Sequence, residues 1–124
     1  MIAKARISPP NSLLLVMDHE TGEIPGSMGH NLVATTPSCV AVGTLSDLDG
    51  ETEVVLTDEQ AYPKSDRDLR LAFTGTLMSS RKQVDVCTVD LRKIIGLAVA
   101  KVQCAVEVWV NDRKEPNKVC FVVT

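Results

Sequence analysis

Both histidines of the chain lie close to acidic side chains in one stretch that follows an apolar run. Asp18, His19 and Glu20 are consecutive, and His30 follows ten residues after Glu20. Imidazole and carboxylate groups can hold a metal ion or supply an acid and a base. The spacing matches no known ligand motif, however, and a polar run after a strand usually forms a loop. We therefore expect no bound metal and no cofactor, and we place a metal-dependent enzyme that uses the His19/His30 loop third among three functions.

Other motifs that carry chemistry are incomplete in this chain. The serine within Pro25–Gly29 lacks the strand-to-helix turn of a nucleophile elbow, and the nearby glycines lack the spacing that cradles a phosphate. The stretch Asp47–Glu51 resembles the start of a calcium loop, but the glutamate required at the twelfth position is missing. These absences favour a non-catalytic function over an enzyme.

The distribution of charge is the most informative functional feature. The net charge is −3, and aromatic residues make up only 3% of the chain, so we expect no nucleic-acid binding. Between Ser46 and Asp68, eight acidic residues stand against two basic ones. We predict that an acidic hairpin and the loop after it contact a basic protein partner. The predicted contacts are Asp47, Asp49, Glu51, Asp58 and Glu59. Ordinary solvated turns that protect a sheet edge would explain the same residues.

The elements that position these residues are strands, because apolar residues alternate with polar ones along most of the chain. We predict an all-β fold, a single-domain antiparallel β-sandwich or flattened barrel of about eight strands over residues 1–124. The predicted strands are Leu13–Val16, Cys39–Gly43, Glu51–Thr57, Leu69–Phe73, Gln83–Val86, Lys101–Asn111 and the stretch around Val119, Phe121 and Val123. The first two are apolar on both faces, which predicts central strands, and the others should bury one face.

Two connections in this scheme are specific. Asp49–Gly50 lies between the strand around Val40 and the strand that begins at Glu51, and Asp-Gly is typical of a tight hairpin turn. The stretch Asp90–Ala98 has apolar residues at helical spacing and is expected to form a turn or two of helix, although Gly96 weakens it.

Trp109 is expected to be half exposed, because it occupies the polar face of an otherwise regularly alternating strand. Such a residue often anchors an interface, so we predict a homodimer contact there and keep a self-associating structural subunit as the second function. A neighbouring loop that covers Trp109 would explain the same position.

The cysteines and the apolar runs indicate the compartment. The four cysteines are widely spaced among valines and form no C-x-x-C pair, which predicts reduced, buried thiols in a cytoplasmic protein. They are Cys39, Cys87, Cys104 and Cys120. The N-terminal apolar run is too short for a signal peptide, and no stretch approaches the roughly 18 to 20 apolar residues that span a membrane. We therefore expect no membrane association.

The order of these features resembles a family of small bacterial β-sandwich proteins of the competence protein J type, which inhibit a DNA-entry nuclease. The resemblance lies in a loop with Pro25-Gly26 and His30, the strand Val40–Thr44, the Asp49-Gly50 turn, and Arg70 with Phe73. It implies a sandwich that binds another protein, with the acidic residues facing the basic site of a nuclease. No functional residue is carried over. The chain has Ala41 where the family has an aromatic residue, lacks a tryptophan before His30, and has Ala72 instead of proline before Phe73.

Overall fold

Ten strands account for nearly all the regular structure of the computed structural model, which describes residues 1–124. They are β1 (Ile2–Ile7), β2 (Leu13–Met17), β3 (Val33–Thr36), β4 (Cys39–Gly43), β5 (Thr52–Thr57), β6 (Arg70–Met78), β7 (Gln83–Cys87), β8 (Lys93–Ala98), β9 (Gln103–Val110) and β10 (Lys118–Val123). Two short 3-10 turns cover Pro10–Ser12 and Pro63–Ser65. No helix is long and apolar enough to cross a membrane. The predicted all-β class is confirmed, with two strands more than expected.

The strands form two sheets of five. Sheet A has the order β1-β5-β10-β9-β6, and sheet B has the order β3-β4-β2-β7-β8. All neighbouring strands are antiparallel except β5 and β10, which run parallel with Val54 beside Val119. Apolar side chains from both sheets form one large cluster between them, as in other sandwiches. The architecture is therefore the predicted β-sandwich, with one parallel pair at the centre of sheet A.

The inner faces follow the predicted alternation closely. Thr52, Val54 and Leu56 of β5 are buried, as are the alternate residues of β9 from Cys104 to Val110. Strands β2 and β4 lie in the middle of sheet B and are buried on both faces, as predicted. Alternation predicted these inward residues correctly because positions that face the core of a sandwich require apolar side chains.

Loops cover the outer faces of both sheets, which the sequence did not indicate. Strands β7 and β10 were predicted to bury one face each, but every residue of Val84–Cys87 and Val119–Val123 is buried. The chain after β2 turns back tightly over sheet B, where Gly22 N–H donates to the carbonyl of Asp18 at 2.8 Å. A Cβ at Gly22 would lie 2.5 Å from the Met17 side chain. Glycine at this position therefore lets the loop lie against the sheet.

The predicted Asp49–Gly50 hairpin is wrong. Strand β4 belongs to sheet B and pairs with β2 and β3, whereas β5 belongs to sheet A and pairs with β1 and β10. A turn does form at Ser46–Asp49, directly before Gly50, but it lies within a crossover from one sheet to the other. A local turn signal cannot show which strand the following strand will join.

The predicted strand Leu69–Phe73 also needs correction, because its three alternate residues do not share a face. The register with β9 shifts between Leu71, which lies opposite Trp109, and Phe73, which lies opposite Val108. This β-bulge at Ala72 turns Leu71 outward and Phe73 toward the core.

Strands β1, β3 and β8 were missed, and all three lie at sheet edges. The helical turn expected within Asp90–Ala98 is in fact β8. Strands β3 and β8 are partly exposed and carry mixed patterns, so their alternation is weak. Strand β1 does alternate, but two of its three inward residues are alanines, which make the apolar face inconspicuous. Gly96 lies opposite Asp85 of β7, and a Cβ at Gly96 would overlap the Asp85 carboxylate. The glycine is thus explained by strand pairing and not by a break in a helix.

The core of the sandwich should respond strongly to loss of its largest buried side chain, Phe121. We expect Phe121→Ala to lower the free energy of unfolding by about 3–5 kcal/mol, because it leaves a cavity between the sheets. The matched control is Leu48→Ala, which shortens an apolar side chain that is 91% exposed and should change stability by less than about 0.5 kcal/mol. Urea unfolding of both variants would measure this, and equal effects would contradict the described core.

Candidate functional site

The five acidic residues predicted as one partner-binding surface lie in two separate groups. Asp47, Asp49 and Glu51 precede β5, and Asp58 and Glu59 follow it. An extended strand of six residues spans about 20 Å, so the two groups lie at opposite ends of the sandwich. A single partner contact therefore has to centre on one group.

The first group lies on an ordered turn over residues 46–51, which we call the acidic turn. Ser46 organises it, since its hydroxyl accepts from Leu48 N–H at 3.2 Å and its carbonyl accepts from Asp49 N–H at 2.9 Å. Gly50 has a φ of 145°, a conformation that side chains disfavour. The apex is Leu48, whose side chain is almost fully exposed. The turn thus presents one apolar side chain between carboxylates.

Backbone hydrogen bonds attach this turn to the body of the sandwich. Leu45 N–H donates to the carbonyl of Pro116 at 2.9 Å, and Thr44 N–H donates to the carbonyl of Ser12 at 2.8 Å. On the other side of the turn, Ser8 donates to the carbonyl of Gly50 at 3.3 Å. A turn held in this way loses little conformational freedom when it binds a partner.

The two acidic groups differ in their ion pairs. Asp47, Asp49 and Glu51 enter none, so their charges are uncompensated. Asp58 and Glu59 lie 2.7 and 3.2 Å from the N-terminal ammonium group. The hydrogen bond from that ammonium group lowers the pKa of Asp58. The acidic turn is therefore the stronger source of negative potential.

Acidic residues later in the predicted region are also neutralised. Lys118 lies 2.6 Å from Asp66 and 3.7 Å from Asp68, and its hydrogen bond lowers the pKa of Asp66. Glu53 lies 3.6 Å from Arg6 across the β1–β5 pair. The surplus of acid in this part of the sequence is thus reduced by bases from distant segments.

Trp109 is half-buried on the outer face of sheet A, where it packs against a small apolar cluster. Its indole N–H donates to Glu107 at 3.0 Å, so its polar group already has a partner. Leu69 belongs to the same cluster, which shows that the chain before β6 covers part of this face. Self-association through Trp109 stays a prediction.

The two histidines do not meet, contrary to the grouping in the sequence. His30 is exposed in the loop before β3, and Glu20 pairs with Arg81. His19 instead meets a carboxylate that lies 66 residues away, since its Nδ1 is 2.6 Å from Asp85 Oδ2. An acidic residue flanked by valines in β7 was the one sequence feature that could have indicated this contact.

Asp85 has no exposed surface, and both oxygens of its carboxylate have partners within the protein. Oδ2 accepts from the backbone N–H and the ring of His19, while Oδ1 accepts from Gln83 at 2.7 Å and lies 3.3 Å from Lys93 Nζ. Burial alone would raise the pKa of Asp85, but the hydrogen bonds from Gln83 and His19 outweigh it and lower the pKa. A side chain at Gly96 would overlap Asp85 Oδ1. The surroundings of Asp85 therefore stabilise its ionised form.

The remaining candidate groups show no catalytic arrangement. All four cysteines are unpaired and buried, as predicted. Burial raises the pKa of the Cys39, Cys87 and Cys120 thiols to about 12, which leaves them protonated and unreactive at neutral pH. A cleft of about 440 Å³ opens between the edges β3 and β6, and Arg113 is its only ionisable lining residue. Neither feature supplies a nucleophile with a neighbouring base.

The comparisons with known proteins concern the fold. No protein-family model matches the chain, and no curated protein matches its sequence. The chain is similar to the crystal structure of ComJ from Bacillus subtilis, described as an inhibitor of the DNA degrading activity of NucA. The TM-score is 0.65 at 8% sequence identity, over 99% of this chain and 96% of that one. The chain therefore has the fold of the family that its sequence resembles.

The hydrogen bonds of Asp85 make a prediction about stability. We expect Asp85→Asn to lower the free energy of unfolding by about 1–3 kcal/mol, because the new amide group faces donors and leaves buried groups unpaired. The control is Asp47→Asn, an identical change at an exposed carboxylate outside every ion pair, which should have an effect below about 0.5 kcal/mol. Urea unfolding at neutral pH measures both, and an Asp85→Asn protein as stable as the control would contradict the assigned role.

Proposed function

We propose that this protein is a non-catalytic inhibitor that binds a basic protein partner, such as a nuclease, through the acidic turn. The observation that carries the proposal is the exposed Leu48 between the unpaired carboxylates of Asp47 and Asp49 on an anchored turn. The similarity of the fold to ComJ, which is described as a nuclease inhibitor, supports the same function.

Charge would give this contact its rate and specificity. A nuclease that holds DNA phosphates needs a basic surface, and carboxylates are complementary to it in the same way as phosphates. Asp47, Asp49 and Glu51 concentrate negative charge on one projecting turn, which would steer a basic partner toward this end of the sandwich. Asp58 and Glu59 contribute less in this proposal, because the N-terminal ammonium group compensates them.

The apolar apex would give the contact its lifetime. Burying a leucine side chain fully contributes roughly 1.5–3 kcal/mol, and an apolar anchor inside a polar rim is the usual arrangement of a binding hot spot. Leu48 is available for this purpose because it makes no contribution to the core of the fold. The proposal thus assigns Leu48 as the anchor and the three carboxylates as the rim.

Capture from an extract of the source cells tests the charged rim. Immobilised protein should retain a DNA-degrading activity at low salt and release it at high salt, and purified protein should then inhibit the released activity. Replacing Asp47, Asp49 and Glu51 by serine should slow association by about tenfold or more and flatten its salt dependence.

The matched control replaces Asp58 and Glu59 by serine at the other end of β5, which should leave association within about twofold of the original. Equal losses in both variants, or no loss in the triple variant, would contradict the assignment of the acidic turn. Retention of the protein itself and nothing else would favour the self-associating subunit instead.

Substitution of the apex tests the anchor separately. We expect Leu48→Ala to weaken binding of the captured partner by roughly 10- to 100-fold, through faster dissociation at an unchanged association rate. Surface-immobilised kinetics would separate the two rates. A dissociation rate equal to that of the original protein would show that Leu48 is not buried by the partner.

A further inference from the structure

One buried carboxylate oxygen near His19 has no hydrogen-bond donor. Asp18 is 1% exposed, and its Oδ1 accepts from Glu20 N–H at 2.9 Å, whereas its Oδ2 accepts no hydrogen bond. Arg81 Nε lies 3.5 Å from Oδ2, outside hydrogen-bond geometry, while the Arg81 guanidinium pairs with Glu20. Asp18 Oδ2 therefore has one ion pair at 3.5 Å but no hydrogen bond, which leaves a buried anionic oxygen incompletely satisfied, and a directly bound metal cation would satisfy it.

The Asp18 carboxylate belongs to a cluster of metal-ligating groups. One ligand atom from each of Asp18, His19 and Asp85 lies within 4.8 Å of the other two. Ligand atoms around a tetrahedral zinc ion are separated by about 3.4 Å, given bonds of roughly 2.0–2.1 Å. Small side-chain movements would therefore bring the three atoms to coordination distance.

We infer that Asp18, His19 and Asp85 form a binding site for a divalent transition-metal ion of the zinc class. The ion would lie between the three side chains and replace the proton that His19 Nδ1 shares with Asp85 Oδ2, and that proton would pass to solvent. The two carboxylates and the imidazole supply one ligand each. This inference is independent of the proposed inhibitor function, because the acidic turn contains none of these residues.

The surroundings of Asp85 match those of a metal ligand. Gln83 and Lys93 hold Oδ1 and leave Oδ2 facing His19, which fixes the orientation of the carboxylate from behind. Gly96 lets Asp85 Oδ1 and the side chains of Gln83 and Lys93 pack closely against β8, because a Cβ at this position would overlap all three. His19 is 31% exposed, so the site has a route to solvent and an open coordination position.

The donor set also selects among metals. One imidazole and two carboxylates suit zinc or manganese, and zinc binds such sites more tightly than manganese. Calcium requires six to eight oxygen ligands, and magnesium prefers oxygen ligands in an octahedron, so both should bind poorly. The neighbouring cations do not block the site. Arg81 is 42% exposed and pairs with Glu20, so it can turn away from Asp18. Lys93 contacts Asp85 Oδ1 and not the Oδ2 that faces His19.

Calorimetric titration of the full, tag-free and metal-free chain with zinc chloride tests the inference. We expect one zinc ion per chain, weaker binding of manganese and no measurable binding of magnesium. Asp18→Asn should weaken zinc binding by more than the roughly 10- to 100-fold that loss of an outer-shell partner causes. This variant should still fold, because asparagine keeps an acceptor for Glu20 N–H and loses only a 3.5 Å ion pair with the partly exposed Arg81.

Two controls keep the outcome unambiguous. Glu23→Gln changes an exposed carboxylate in the same loop that enters no ion pair, and it should leave zinc binding unchanged. Cobalt substitution distinguishes nitrogen and oxygen ligands from the four thiols, and its spectrum should lack the intense thiolate band. Absence of zinc binding, equal affinity in the Asp18→Asn variant, or a thiolate band would each overturn the inference.

Discussion

The position of β5 between β1 and β10 in sheet A determines where the proposed binding surface lies. Strand β4 ends in sheet B, so residues 44–51 have to cross the end of the sandwich before β5 begins. Hydrogen bonds to Ser12 and Pro116 hold the start of this crossover. The residues after it pair with neither sheet, and hydrogen bonds to Ser46 fold them into a turn. Three carboxylates and Leu48 are consequently presented together at one end of the molecule.

On the outer face of sheet B a carboxylate is buried, in contrast to the exposed carboxylates of the acidic turn. The loop after β2 covers the outer face of this sheet, and it covers Asp85 as well as the apolar residues beside it. A buried carboxylate is tolerated only when donors or cations satisfy it. His19, Gln83 and Lys93 do so for Asp85, whereas Asp18 Oδ2 has only the ion pair with Arg81 at 3.5 Å and no hydrogen-bond donor. The two candidate sites are thus built by different physical means: one on the crossover between the sheets, and the other on the outer face of sheet B.

Sequence patterns predicted the parts of this structure that depend on local periodicity. The inward residues of β5 and β9 followed from alternation. The central position of β2 and β4 followed from their apolar character on both faces, and the buried thiols followed from their wide spacing among valines. The hairpin at Asp49–Gly50 failed because the turn signal is local, whereas the partner of β5 is decided by strands at both ends of the chain. The contact between His19 and Asp85 failed for a related reason, since no spacing rule connects residues 66 positions apart. The resemblance to a family agreed with the sandwich already predicted from alternation, but it supplied no functional residue.

Hydrogen exchange of the complex with the captured partner tests the central claim most directly. If the acidic turn is the binding surface, protection gained on binding should concentrate on residues 44–51 and on the chain around Pro116 that supports them. Exchange at residues 58–62, at the other end of β5, should stay unchanged. Protection confined to the β3–β6 cleft or to the face around Trp109, with none at the acidic turn, would contradict the account.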